Sequence, residues 1–475
     1  MKIHGIILLI FISFPSFCQD YISHNLILSI TKGQIQAQYG FPADYDVELY
    51  KVLYTTNDIR GELDTASGLL VIPSEFRFPD DETFNVPTII FHHGTVNSRT
   101  DVPSNLEGGF ELNVAFASKG YFSLGPDYIG NGESRGFHPY VHADSEASAS
   151  IDMLKASAEL AQALEINLNE KLFLSGYSQG GHASMATHRE LETNFDVHGY
   201  KVTAAAHLSG PYSIGEVMRD KILSDDEYLF ASYIPNTVLS YQEAYGNLYN
   251  DLNEVFKPNY IPFIQDFRNG TITLGSLNTL LLNELGSPSI PKNMFLDNVI
   301  DSVSNNPNYP MSIALKDNNV YNFAPQAPTR MFYCMADDQV PFENSVLADS
   351  VMNALGGLDV DAIDVAPVFD HGQCVVPTLL NTVNFFEDFL TSTKNVQNDL
   401  IVELKPNPFF DEIVITIPET QGKSQVVIHT IKGQKIFEKT FDTDSFTINT
   451  SSFTNGIYMI KISNGEGRYL EKIIK

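Results

Sequence analysis

The stretch that most constrains this chain is Leu172-Phe173-Leu174-Ser175-Gly176-Tyr177-Ser178-Gln179-Gly180-Gly181-His182. A short apolar run ends at a glycine, a serine follows with glycines on either side, and a helical pattern of Ala183, Met185 and Ala186 begins at once. The pattern predicts a buried strand, a sharp turn and a helix. In such a Gly-x-Ser-x-Gly turn the serine takes a strained backbone conformation that frees its hydroxyl at the top of a sheet. The glycines let strand and helix approach without Cβ clashes. Ser178 is the candidate nucleophile.

The sequence around this turn alternates strands with helices. Residues 47–54 and 67–72 are rich in β-branched and aromatic side chains and read as strands. Residues 86–91 form a continuous apolar run, as a strand buried on both faces requires, and end in His92-His93-Gly94-Thr95. A helix is expected over 105–119 and a strand over 121–124, leading to Pro126-Asp127-Tyr128-Ile129-Gly130. Apolar residues at helical spacing from 148 to 166 predict the crossover helix that feeds the 172–174 strand. Strands follow at 202–208, 329–335 and 360–368, with helices at 345–355 and 377–390. This alternation predicts an α/β fold with a mostly parallel sheet flanked by helices. Residues 212–326 interrupt the rhythm: they are helical in pattern, rich in aromatics such as Tyr228, Tyr233 and Tyr241, and read as an inserted cap.

A serine hydroxyl is a weak nucleophile unless a base takes its proton. A histidine base works best when a carboxylate fixes its tautomer and stabilises the imidazolium. Two downstream loops supply these types in the order acid, then base: Ala336-Asp337-Asp338-Gln339-Val340-Pro341 and Phe369-Asp370-His371-Gly372, each after an expected strand. Carboxyl ends of parallel strands converge on one edge of a sheet, so residues distant in sequence meet there. His371 is the candidate base, and Asp337 and Asp338 are rivals for the acid. Gln179, directly after the nucleophile, offers a backbone N–H to a developing oxyanion. A second Gly-x-Ser-x-Gly match, Gly132 to Gly136, places Ser134 just before Phe137-His138-Pro139, which does not start a helix, so Ser134 is set aside. His92, His93, His182 and His207 read as hydrogen-bonded structural groups, and Asp127 and Tyr128 as residues that order the edge of the site. No histidine and carboxylate cluster has zinc-ligand spacing, and neither metal nor cofactor is expected.

The whole pattern resembles the α/β-hydrolase superfamily over residues 47–390. Gly-Tyr-Ser-Gln-Gly-Gly-His and Pro-Asp-Tyr-x-Gly are similar to the secretory lipase family of extracellular esterases and lipases, which also carry a helical cap. The resemblance implies Asp337 as the acid, because Asp337 to Pro341 matches the Asp-x-x-Val-Pro that follows a late strand in the superfamily. It also implies the Thr95 N–H, in a His-Gly-x loop, as the second oxyanion donor. The implied activity is hydrolysis of small or lipid-like carboxylic esters by a Ser-His-Asp triad through an acyl-enzyme. The alternatives are a serine peptidase of the same fold and a non-catalytic surface binding protein on a hydrolase scaffold.

A formal charge of -29 argues against nucleic acid as a partner, since polyanions call for clusters of Lys and Arg. At the N-terminus, Lys2, an apolar segment over 6–14, and Ser16 and Cys18 at the -3 and -1 positions of a cut before Gln19 read as an export leader. The apolar run is too short to span a membrane, and no other run is long enough. Without Cys18 the chain keeps Cys334, three residues before Asp337, and Cys374, three after His371. In an oxidising compartment a disulfide there ties the acid loop to the base loop; two buried thiols are the alternative.

After a polar linker at 391–399, the texture changes to short alternating strands at 413–417, 424–429, 434–437, 445–448, 456–462 and 469–474. Residues 400–475 carry nine basic and nine acidic side chains, so the entire net charge resides in residues 1–399. Leu404-Lys405-Pro406-Asn407-Pro408-Phe409, Thr454-Asn455-Gly456-Ile457-Tyr458 and the closing Glu471-Lys472-Ile473-Ile474-Lys475 resemble the type A C-terminal sorting domain of the type IX secretion system. That resemblance implies a small β-sandwich read by an outer-membrane translocon, and a protein released or displayed outside the cell. On its residues alone the tail is a β-module such as a carbohydrate-binding unit. The expected division is a leader at 1–18, an α/β catalytic unit at 19–394 with its cap at about 212–326, and a β-sandwich at 395–475.

Overall fold

A computed structural model of the chain describes residues 20–74, 85–390, 400, 402–417, 423–430, 435–464 and 467–475. The expected leader, with Cys18, and the expected linker at 391–399 lie outside the described residues. The chain divides into two compact units, Met1–Phe389 and Leu390–Lys475.

Among the described residues of the first unit nine strands make one sheet: β1 (Tyr21–Ile30), β2 (Val47–Asn57), β3 (Leu63–Pro73), β4 (Val86–His92), β5 (Phe122–Pro126), β6 (Leu168–Tyr177), β7 (Val202–Leu208), β8 (Thr329–Tyr333) and β9 (Val360–Asp364). Their order is β1-β2-β3-β5-β4-β6-β7-β8-β9. Pairing is antiparallel from β1 through β3 to β5, and parallel from β5 to β9. The central strands read as apolar runs because helices cover both faces of a parallel sheet. Ile89, Ile90, Phe173, Leu174, Ala204 and Ala205 are accordingly buried. The crossover helix Ala143–Ala163 packs on the elbow helix Gln179–Thr193 and on β2. The elbow thus lies at the carboxyl end of a central strand.

Several boundaries differ from the sequence reading for identifiable reasons. β1 and the helix Lys32–Tyr39 were not expected. β1 is an edge strand with most of its residues exposed, so no buried face imposes alternation on it. The helix carries a Thr31/Gln34 capping box and ends at Gly40 in the left-handed region, both legible signals. The crossover helix begins at Ala143 rather than 148, because its N-cap is His142, whose imidazole accepts from the Ser145 N–H, an atypical cap. The helix expected over 105–119 shortens to Glu111–Ala117 after a 3₁₀ turn at Pro103–Asn105. β9 stops at Asp364, and the last helix, His371–Leu390, starts well before Pro377. There Asp370 Oδ1 accepts from Gln373 N at 2.8 Å while Gln373 Oε1 faces Asp370 N at 3.3 Å, a capping box that starts the helix early.

Between β7 and β8 the chain builds the cap. A π-helical turn at Ile214–Met218 is followed by helices including Tyr233–Tyr245, Ile261–Arg268, Leu274–Leu285, Asp297–Asn305 and Pro310–Asp317. They enclose a core of their own around Leu239, Tyr241, Phe256, Ile264, Leu277 and Met294. Both ends of the insertion are fastened by buried amides: Ser213 N donates to Asn344 Oδ1 and Gly215 N to Asn319 Oδ1.

The second unit is a β-sandwich. Strands Glu403–Lys405, Glu412–Thr416 and Ser445–Asn449 form one antiparallel sheet. Ser424–Thr430, Lys435–Phe441, Ile457–Asn464 and Gly467–Ile474 form the other. Ile413, Ile415, Val426, Ile428, Ile460 and Ile462 from the two sheets share one core. Among the described residues no helix is long and apolar enough to cross a membrane.

Beneath the elbow the first unit buries a layer of histidines. His92 donates Nδ1–H to Ser175 O at 3.0 Å and turns Nε2 toward the Ser150 and Thr187 hydroxyls, each at 3.1 Å. Burial pushes His92 and His138 down to about 4, and His207 also falls well below its ordinary range. Such a ring is neutral in the fold while an unfolded histidine takes up a proton near pH 6.5. The unfolded state therefore binds more protons below that pH, and stability falls as pH drops from about 6.5 through 4, on the order of 3 kcal/mol for each of His92 and His138. Urea unfolding midpoints measured from pH 7 to pH 4 are expected to decline across that window; a midpoint flat to pH 4 contradicts it.

Cys334, just past β8, and Cys374, in the first turns of the last helix, form a disulfide with Cα atoms 6.0 Å apart, and both are fully buried. Closing a loop with a sequence separation of 40 residues removes unfolded-state entropy worth about 4 kcal/mol. A Cys334→Ser/Cys374→Ser protein is expected to lose a comparable amount of stability in urea, and peptides of the unreduced chain to carry the cross-link. Recovery of both cysteines as free thiols contradicts the assignment.

Candidate active site

Ser178 sits between β6 and the elbow helix with φ 60° and ψ -121°, a conformation that costs a non-glycine residue about 1–3 kcal/mol. Backbone packing imposes it. A Cβ at Gly180 would lie 2.0 Å from the His92 carbonyl, and one at Gly176 would lie 2.2 Å from the Gly180 carbonyl, so only glycines let the helix descend onto the sheet. The Ser178 N–H donates to Leu208 O of β7 at 2.9 Å, and its carbonyl accepts from Gly181 N. The Gln179 N–H opens the helix and finds no acceptor among the described residues, as expected for the first turn. Gly94, in the loop after β4, faces the elbow: a Cβ there would lie 3.7 Å from Ser178 Cβ. Thr95 follows Gly94 in this loop, and Thr95 Oγ1 is 3.0 Å from the Tyr140 hydroxyl.

His371 stands on the other side. Its ring centroid is 4.9 Å from that of Tyr177, the residue before Ser178, and the Tyr177 hydroxyl donates to His371 O at 2.5 Å. His371 Nδ1 meets Asp337 Oδ2 at 2.7 Å, with both side chains buried. Asp337 Oδ1 accepts from the N–H groups of Gln339 and Val340 at 2.9 and 2.8 Å. A carboxylate held on one oxygen by two main-chain donors offers the other in a fixed direction. Asp338 has a different contact: its Oδ1 accepts from the His371 backbone N–H at 3.2 Å and so caps the last helix. The rivalry between the two acids divides by geometry, one against the ring and one against the main chain.

Behind the elbow lies a buried polar chain that the sequence reading missed. Glu146, at the start of the crossover helix, accepts from Gln179 Nε2 through Oε1 at 2.9 Å and meets His182 Nδ1 through Oε2 at 2.7 Å. His182 Nε2 donates to Asn318 O at the end of the cap, at 2.9 Å. Gln179 Nε2 also reaches His138 Nε2 at 2.9 Å; His138 Nδ1 donates to Ile129 O, so Nε2 is the acceptor. The signal available was a carboxylate in line with Ser150, Met153 and Ser157 on an inward stripe, hidden because the helix was expected to begin beyond it. The remaining candidates have local partners. Ser134 Oγ donates to Asp64 Oδ2 and accepts from Gly130 N. Asp127 accepts from Ser67 Oγ and Ser104 N, and Tyr128 donates to His93 O.

Ser178 opens on a cleft with about 890 Å³ of empty space, its open mouth included. The cap supplies most of the walls, with Ile214, Met218, Val238, Val299 and Met311 among them. Among the described lining residues Arg219 alone is formally charged. Among the described residues no group of three or more His, Cys, Asp or Glu side chains is placed to hold a metal ion.

Comparison with known proteins places these features. No curated protein matches the chain by sequence. A protein of Legionella pneumophila assigned as a hydrolase is 26% identical, with a TM-score of 0.70 over 78% of this chain and 99% of that one. The rice cell wall degrading esterase LipA of Xanthomonas oryzae is 28% identical, with a TM-score of 0.65 over 78% of this chain and 96% of that one. Candida antarctica lipase A, 15% identical over 80% of this chain and 84% of that one, shares the fold with a TM-score of 0.58. Residues 404–475 match the secretion system C-terminal sorting domain, which marks the protein for type IX secretion to the cell surface or beyond. Residues 111–366, running from the helix after β4 to just past β9, match the Secretory lipase family, so the chain belongs to the secretory lipases and is a hydrolase that acts on esters.

Proposed function

We propose that this secreted ester hydrolase works through Ser178, His371 and Asp337, cleaving uncharged carboxylic esters with an apolar acyl group by way of an acyl-enzyme. The observation that carries the reading is the buried His371–Asp337 contact beside a strained Ser178 that opens on an apolar cleft.

His371 takes the Ser178 proton through Nε2 while Asp337 holds Nδ1–H and stabilises the imidazolium. Ser178 Oγ attacks the ester carbonyl, and the N–H groups of Gln179 and Thr95 receive the oxyanion. His371 then gives its proton to the departing alkoxide. Water repeats the cycle at the acyl-enzyme, and the carboxylic acid leaves. The apolar walls around Ser178 suit a hydrocarbon acyl chain, and the absence of acidic side chains among the described lining residues gives a cationic group no partner there.

Hydrolysis of p-nitrophenyl esters of increasing chain length, beside peptide amides, tests the substrate class; esters turned over with amides untouched is the expected result. Ser178→Ala is expected to abolish turnover in a folded protein. Asp337→Asn is expected to lower kcat by roughly 10³- to 10⁴-fold. Asp338→Ala, which removes only the acceptor for the first N–H of the last helix, is expected to act mainly on stability, by about 1 kcal/mol. Near wild-type turnover in Asp337→Asn contradicts the assignment of the acid.

A further inference from the structure

The cap reaches into the acid loop at one residue. Gln339 lies two positions after Asp337, and both of its oxygens accept hydroxyls from the cap. Its carbonyl takes the Tyr228 O–H at 2.9 Å and its Oε1 takes the Tyr233 O–H at 2.8 Å. Its own N–H, and the N–H of the next residue, are the two donors to Asp337 Oδ1.

The covalent connectivity gives this contact a direction. The Gln339 carbonyl and the Val340 N–H belong to one peptide group. Tyr228 donates to the oxygen end of that group while its nitrogen end donates to Asp337. A hydrogen bond accepted at a carbonyl polarises the amide and strengthens the bond its N–H gives, by perhaps 10–30% in condensed phase. Tyr233 fixes the Gln339 side chain and so the residue that supplies the other donor. The two tyrosines are themselves ordered by Phe230, whose ring lies 5.8 Å from that of Tyr228 and 5.9 Å, stacked, from that of Tyr233.

We infer that Tyr228 and Tyr233 are positioning residues for catalysis, acting through Gln339 and the Val340 peptide to hold Asp337 against His371, so that the cap completes the acid as well as the substrate cleft. The inference rests on Asp337 being the catalytic acid. The hydroxyls keep their protons over the working range: burial, with the charges of Asp337 and Asp338 nearby, pushes Tyr233 up to about 12, and burial raises Tyr228 well above its ordinary value. Both rings also line the cleft, so a substitution that keeps the ring separates the two roles.

The test uses the full-length enzyme with p-nitrophenyl butyrate and p-nitrophenyl decanoate. Active sites are counted by titration with an organophosphonate, and folding is checked by thermal unfolding. Tyr228→Phe and Tyr233→Phe retain the rings and remove only the hydroxyls. Each is expected to lower kcat per active site about 3- to 10-fold, the range of one hydrogen bond, with KM unchanged for both esters. In an Asp337→Asn background the same substitutions are expected to cost nothing further, because the group they act through is gone. Unchanged kcat in both single variants overturns the inference. So does a KM effect that depends on chain length, which assigns the hydroxyls to the cleft wall, or a loss that multiplies with Asp337→Asn. Near wild-type turnover in Asp337→Asn alone removes the acid assignment and the inference with it, an outcome distinct from Tyr→Phe variants that fail while Asp337→Asn is inactive.

Discussion

The close approach of the elbow helix to the ends of β4 and β6 is the constraint on which the rest of the first unit depends. The carbonyl of His92 occupies the space where a side chain on Gly180 would begin, and the carbonyl of Gly180 does the same for Gly176. With strand and helix so near, the linking residue has no room for an ordinary conformation, and Ser178 takes a positive φ. That strain, on the order of 1–3 kcal/mol, is offset by the main-chain bond to Leu208 and by the apolar packing of the sheet. Its chemical result is a serine that lines the cleft and a first-turn N–H at Gln179 with no acceptor among the described residues.

Such a turn is fixed only if its surroundings do not yield, and here they are polar, buried and joined by hydrogen bonds, with Gln179 Oε1 left without a partner among the described residues. Glu146 receives Gln179 on one oxygen and His182 on the other, with both residues of the Glu146–His182 pair fully buried. Removing one member of a buried pair leaves the other uncompensated, which makes such a network rigid. Through His182 it continues to Asn318, which also accepts from Ala143 N at the head of the crossover helix. The adjoining Asn319 holds Gly215, where the chain passes into the cap. The elbow helix, the crossover helix and the far end of the cap therefore share one set of hydrogen bonds.

The features most readable in the sequence were those governed by local rules. The glycine spacing around Ser178 and the apolar runs of β4 and β6 reported the elbow and the sheet directly, and Asp337 and His371 stood in the expected chain order behind expected strands. The charge break after residue 399 and the alternation beyond it marked the tail. What stayed hidden depends on contacts between distant segments. Tyr228 and Tyr233 are ordinary cap aromatics by spacing, Tyr140 sits in the segment before the crossover helix, and only the fold brings their hydroxyls to Gln339 and Thr95. Asp337 and Asp338 are neighbours of the same type; which one meets the imidazole is decided by the loop turning over its own Gln339 and Val340 donors. Glu146 was lost to a helix start that relies on a histidine cap, outside the usual Ser, Thr, Asp and Asn preference.

These contacts limit how the cap can vary. An insertion that only roofed the cleft could change its side chains freely as long as an apolar lining remained. The observed cap is tied to the rest of the unit at three places: through Tyr228 and Tyr233 to Gln339, through Asn318 to His182, and through Ser213 to Asn344. The side chains that line the cleft, such as Val238, Val299 and Met311, carry none of these hydrogen bonds, so their size can change without loosening a polar contact. Tyr228 and Tyr233 serve both surfaces, with their rings on the cleft and their hydroxyls on Gln339. The aromatic richness of the insertion follows from both demands, since a tyrosine presents an apolar face to the cleft and a hydroxyl to the acid loop.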